Sequence, residues 1–133
     1  MLTALADTHA AIWYLFRDPR LSQTARNHML GVAAAGHEVG ISAITFTEVV
    51  YLQEKGRLGP DTLTALLAAL RLPDPLLVEV PVTHEIAEAM SLIDRTSVPD
   101  LPDRIIAATA LHLGVPLLSR DRKIRLSSVA TIW

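Results

Sequence analysis

The sequence contains no cysteine, which excludes a disulfide framework and any thiolate metal site and suits a reducing compartment. It has no uncharged apolar run long enough to span a bilayer. Its opening residues, Met1 to Asp7, lack a basic stretch and meet an acid too early for a signal peptide. These absences lead to the expectation of a soluble protein in the cytoplasm. There is also no overall excess of basic charge: the net charge is −2, so composition carries no global signature of a nucleic-acid binder. Gly-x-Ser-x-Gly and P-loop motifs are both missing, which disfavours a serine nucleophile and a phosphate-cradling loop. No two histidines among His9, His28, His37, His84 and His112 show the His-x-x-x-His spacing a zinc site would want.

What is present is the material of one domain. The 133 residues, half of them hydrophobic and 20% charged, suffice for one core but not two. Residues 1–133 are therefore expected to form a single unit. Short apolar runs alternate with longer helical stretches, the pattern of βαβ units. Leu2 to Ala6 is a buried strand ending at Asp7, and Thr8 to Phe16 a helix closed by Asp18-Pro19. Ser22 caps a helix stopped by Gly36, and Val39 to Ser42 is a second strand. A helix over Thr45 to Lys55 ends at Gly56, and another runs from near Pro60 to near Arg71. Leu76 to Val80 is a third strand, and Thr83 caps a helix reaching about Asp94. Pro102 to Leu113 is a helix apolar almost all round, so it should be buried. Leu117 to Ser119 and Val129 to Ile132 complete the strands.

Four acids stand out by position. Asp7 directly follows the first strand, and Asp121 lies just beyond the fourth. Glu48 and Asp103 each fall in the first turn of a helix. In a parallel α/β sheet, strand C-termini and helix N-termini share one edge, and ligands bind there. The four can converge, and converging carboxylates repel unless a cation neutralises them. An all-oxygen set suits a hard ion such as Mg²⁺ or Mn²⁺.

Each acid also has a plain structural reading. Thr45-Phe46-Thr47-Glu48 matches a capping box, and Asp100-Leu101-Pro102-Asp103 matches a capped helix start. Asp121, among arginines, fits a salt-bridged turn. Asp7 is harder to explain structurally, because an acid at the end of so apolar a strand has no evident partner. The segment Arg120-Asp121-Arg122-Lys123-Ile124-Arg125 carries a local charge of +3, the composition of a solvated face or of a phosphate contact. Trp13, Tyr14 and Phe16 suit core or dimer contact better than base stacking.

Four segments together resemble the PIN-domain family, specifically the VapC toxin type of toxin–antitoxin pairs. They are Ala6-Asp7-Thr8-His9, Ile41 to Glu48, Pro102 to Ala110 and Leu117 to Ile124, and the likeness extends in order over nearly the whole chain. The resemblance implies a three-layer α/β/α sandwich around a mostly parallel sheet, and a magnesium- or manganese-dependent endoribonuclease. It implies that Asp7, Glu48 and Asp103 bind the metal, with Asp121 as a more variable fourth and Asp100 as an outer participant. Thr8 and Ser119 match the family's small polar neighbours of the site, and Arg104 is placed to orient a carboxylate or contact phosphate. It further implies a homodimer, an antitoxin partner and an RNA substrate. On the residues alone, two rivals stand beside this. One is a metal-dependent phosphatase or phosphoacceptor domain, although His9 stands where an Asp-x-Asp would need its second acid. The other is a non-catalytic binding module on the same fold.

Overall fold

In the computed structural model, which describes residues 1–133, the elements follow one another as strands separated by helices. They are β1 (Leu2–Ala6), α1 (Thr8–Leu15), α2 (Gln23–Ala34), β2 (Glu38–Ser42), α3 (Ala43–Glu54) and α4 (Thr62–Leu70). Then come β3 (Leu77–Val80), α5 (His84–Met90), α6 (Leu101–Leu113), β4 (Leu117–Leu118), α7 (Arg122–Arg125) and β5 (Thr131–Ile132). The strands form one sheet in the order β3-β2-β1-β4-β5, and every pairing is parallel.

The alternation of side chains along each strand builds two cores. Ala4, Ala6, Val39, Ile41 and Leu118 face one layer, where they meet Ala10, Ile12 and Trp13 of α1, Met29 of α2, Val49 of α3 and Leu66 of α4. Leu5 and Leu117 face the other, against Ile86 of α5 and Ile105, Ile106 and Ala110 of α6. The sheet is thus covered on both faces, which is why its strands are near-continuous apolar runs. Helices on each side make the expected α/β/α sandwich. α6 buries every residue from Ile105 to Ala110, and Gly114 ends it in the left-handed conformation at φ 66°. Gly40 in β2 is needed for closeness: a Cβ there would stand 2.8 Å from both the Leu2 and Val80 side chains.

Of the differences from the sequence expectation, which include a β5 that begins at Thr131 rather than Val129, three have a clear local setting. α3 begins at Ala43, not Thr45, because Ser42 is the cap and its hydroxyl accepts from the Ile44 N–H at 3.3 Å. The Thr45–Glu48 capping box therefore does not form; Thr45 lies fully buried within the helix. α5 stops at Met90, and Asp94 instead organises a turn. Its Oδ1 accepts from the Thr96 N–H and hydroxyl at 2.9 and 2.8 Å, a local bond that competes with the helix. Part of the basic segment winds into a short helix, α7, capped by Asp121.

The order of the strands decides where a ligand can bind. The chain moves outward from β1 to β2 and β3, then returns to place β4 on the other side of β1. The order reverses between β1 and β4, which makes the crevice at their C-terminal ends the topological switch point.

Candidate metal centre

Asp7 stands at the end of β1, with its N–H donating to the Leu118 carbonyl at 3.1 Å. It is the N-cap of α1, where its Oδ1 accepts from the Ala10 N–H at 2.8 Å. Asp121 follows β4 and caps α7, accepting from the Lys123 N–H at 2.8 Å. Asp100 caps α6 by accepting from the Asp103 N–H at 3.1 Å, and Asp103 sits in that helix's first turn. Asp100 thus takes the capping role its sequence suggests, whereas Asp121 is a helix cap rather than a salt-bridged turn residue, and Asp7 finds in the Ala10 N–H a partner the sequence did not show. A cap occupies only part of a carboxylate's accepting capacity. The positive end of a helix also favours an acid placed there.

Three of these acids share one cavity. Asp7, Asp103 and Asp121 line a hollow of about 330 Å³ together with His9, Trp13, Arg20 and Arg120. Glu48 does not line this hollow but lies next to it, tied in through Thr8. The buried Thr8 hydroxyl donates to Glu48 Oε1 and lies 3.0 Å from the Thr45 hydroxyl. Thr8 has one proton and gives it to Glu48, so Thr45 must be the donor to Thr8. Ser119, also fully buried, accepts from the Asp121 N–H at 3.1 Å, and its hydroxyl lies near enough to Asp7 to favour that carboxylate's charged form.

The electrostatics show how far the acids feel one another. Burial, then the charges of Asp100, Asp121, Glu48 and Asp7, push the Asp103 carboxyl up to about 7. Burial also raises Asp7, against the hydrogen bonds from Ser119 and Ala10 and the nearby His9 that lower it. Glu48 is raised by burial, opposed by the Thr8 hydrogen bond and reinforced by Asp100 and Asp7. No member of the set is salt-bridged to a basic side chain. A group of acids this repulsive calls for a cation from outside the chain.

In its chemistry the donor set fits a hard divalent ion: every donor is a carboxylate oxygen, and none is salt-bridged. As the side chains stand, no three of these acids are placed to hold a metal ion together.

The other expected site residues divide. Arg104 does not reach the acids. Its Nη2 donates to the Met90 and Ile93 carbonyls at 2.9 and 3.2 Å, so it braces the turn after α5 rather than orienting a carboxylate. Of the basic side chains of residues 120–125, Arg120 alone lines the hollow. Arg122 and Arg125 flank a separate depression with Leu126, and Lys123 is exposed on α7. Three lining residues, His9, Trp13 and Arg20, have no local sequence signal that marks them for the site. Trp13 takes its expected place in the core, 4% exposed, but its ring also forms one wall of the hollow.

A PIN-domain family model matches residues 4–130. The chain is a PIN-domain protein. This PIN domain is 28% identical over 125 residues to Ribonuclease VapC22 of Mycobacterium tuberculosis, a match spanning 94% of the chain and 92% of that relative. Among solved structures it resembles a toxin–antitoxin complex from Klebsiella pneumoniae, at 27% identity and a TM-score of 0.63. That match covers 98% of the chain and 97% of its counterpart. The fold is likewise that of VapBC2 from Rickettsia felis bound to a promoter DNA fragment: the TM-score is 0.71 at 16% identity, over 98% and 97% of the two chains. No helix of this PIN domain is long and apolar enough to cross a membrane.

Proposed function

We propose that this PIN domain is an endoribonuclease dependent on Mg²⁺ or Mn²⁺, and the toxin of a toxin–antitoxin pair. The observation that carries the reading is the meeting of Asp7, Asp103 and Asp121, from three separate segments, in one hollow at the switch point of the sheet. The likeness to a mycobacterial ribonuclease supports the activity, and the likeness to a toxin–antitoxin complex supports an antitoxin partner. The remaining partners in this reading are an RNA substrate and, in a homodimer, a second copy of the chain; the compartment is the cytoplasm.

Asp7, Glu48 and Asp103 would hold the ion, with Asp121 completing the set and Asp100 acting from outside it. When bound, the ion supplies activation of water and relief of charge building on the phosphate. The protein's own groups do the positioning. Thr8 spends its proton on Glu48 and so aims that carboxylate. Ser119 anchors the Asp121 backbone beside Asp7.

A titration of Mg²⁺ and Mn²⁺ against an RNA pool tests the reading. Cleavage that requires the ion, stops with a chelator and disappears in Asp7→Asn is the expected result. The loss should be about a thousandfold, the equivalent of about 4 kcal/mol of transition-state stabilisation. Chelator-insensitive cleavage by pure protein, phosphate release without chain cleavage, or no reaction at any ion concentration would overturn it. The last two outcomes point to the phosphatase and to the non-catalytic module respectively.

A further inference from the structure

The hollow is lined by two unlike kinds of residue. Beside the carboxylates stand Arg120, Arg20, Trp13 and His9. The guanidinium of Arg120 lies over the Trp13 ring at 4.5 Å from its centroid, and that of Arg20 over the same ring at 5.1 Å. The two arginines are not equivalent. Arg20 is bound in bidentate fashion to Asp18, through Nε at 3.0 Å and Nη2 at 2.7 Å. Its charge is answered, and what it offers is cover for the ring. Arg120 has no salt-bridge partner although three carboxylates line the same hollow. Stacking on the indole holds it off those acids, because a cation over a tryptophan face is attracted without any hydrogen bond being used. All five of its N–H donors remain for a ligand.

We infer that Arg120 binds the phosphate adjoining the scissile one in a single-stranded RNA, and that Trp13 is the positioning residue that keeps it there. The inference rests on the ribonuclease reading and narrows it: among the basic residues 120 to 125, one contacts substrate and the helical ones do not. A planar guanidinium pre-aimed by stacking suits a phosphate, and it lines the same hollow as the acids. Because the contact is to backbone, it sets register without reading sequence.

The test measures binding of a labelled single-stranded RNA by fluorescence anisotropy across a range of salt. It uses the full chain with Mg²⁺ in an Asp7→Asn background that does not consume the probe. Arg120→Ala should lower the slope of log affinity against log salt by about 0.7, the value for one single-strand phosphate. Arg120→Lys should keep the slope, and Arg122→Ala and Arg125→Ala should leave it unchanged. Trp13→Leu should reproduce the Arg120→Ala slope and add nothing in the double variant, since the two act as a unit. Trp13→Phe, which keeps a ring, should restore it, and it serves alone if the leucine variant fails to fold. An unaltered slope in Arg120→Ala, or an equal loss in Arg122→Ala, would overturn the phosphate contact. Additive losses from Trp13 and Arg120 would overturn the positioning role. The wild-type cleavage assay separates this from the parent reading. Metal-dependent cleavage with unaltered slopes sinks only the Arg120 assignment, whereas slope loss without cleavage sinks only the nuclease.

Discussion

The hydroxyl of Thr8 donates to the Glu48 carboxylate, and so ties the first turn of α1 to the middle of α3 beside the acidic hollow. Thr45 feeds its own proton into Thr8 from below. The three side chains form a short relay that leaves Glu48 little freedom to turn away. Removing the middle hydroxyl while keeping its shape should loosen the carboxylate without opening a cavity.

Thr8→Val is therefore expected to raise the Mg²⁺ concentration for half-maximal cleavage by about tenfold, in line with other groups that orient a metal ligand. Thr8→Ser should stay close to wild type. An unchanged ion requirement in the valine variant would mean that Glu48 is held by something else.

Asp103 weakens the fold once it is ionised. Its carboxyl is raised to about 7 by burial and by four neighbouring acids, and Asp7 and Glu48 are raised as well. A folded-state value above the unfolded one favours the protonated fold. The resulting stability is complete below the ordinary value of 3.8 and is lost as pH rises through about 7. In chelator, the melting temperature should fall between about pH 5 and about pH 8, and Asp103→Asn should flatten that fall. Added Mg²⁺ should raise the melting temperature more at the higher pH, where protons no longer compete for the carboxylates. A wild-type melting temperature in chelator that is flat or rising over this range would contradict the assigned repulsion.

Arg104 braces the segment after α5, and its buried Nε has no partner. Arg104→Met should cost about 2 kcal/mol in denaturant unfolding, the scale of charged hydrogen bonds lost to two carbonyls. The salt slope of RNA binding should not move. A slope change would return Arg104 to the substrate surface.

Gly40 sits where β2 passes closest to the side chains of Leu2, Leu5 and Val80. Gly40→Ala should destabilise by about 2 kcal/mol, because the added methyl overpacks a filled layer. Equilibrium unfolding measures this directly. A neutral result would show that the flanking leucines have room to move.

The periodicity of apolar residues was enough to specify the alternation of strands and helices, the burial of α6 and the addresses of Asp7, Asp103 and Asp121. Those properties depend on neighbours along the chain: a strand end, a helix cap and an apolar face are all written in local order. Some boundaries failed because two local signals competed. Thr45 resembled a cap, but Ser42, three residues earlier, took the position and released Thr45 to face Thr8. Only the tertiary fold could decide which polar residues would join the acids. Arg20 and Arg120 lie a hundred residues apart and meet over one tryptophan ring because β4 inserts next to β1. Arg104, one residue from an acid of the hollow, points elsewhere because successive residues on a helix diverge by about 100°. Chain neighbours determine what an element is; which side chains share a cavity is set by how the elements cross, and no spacing in one sequence records that.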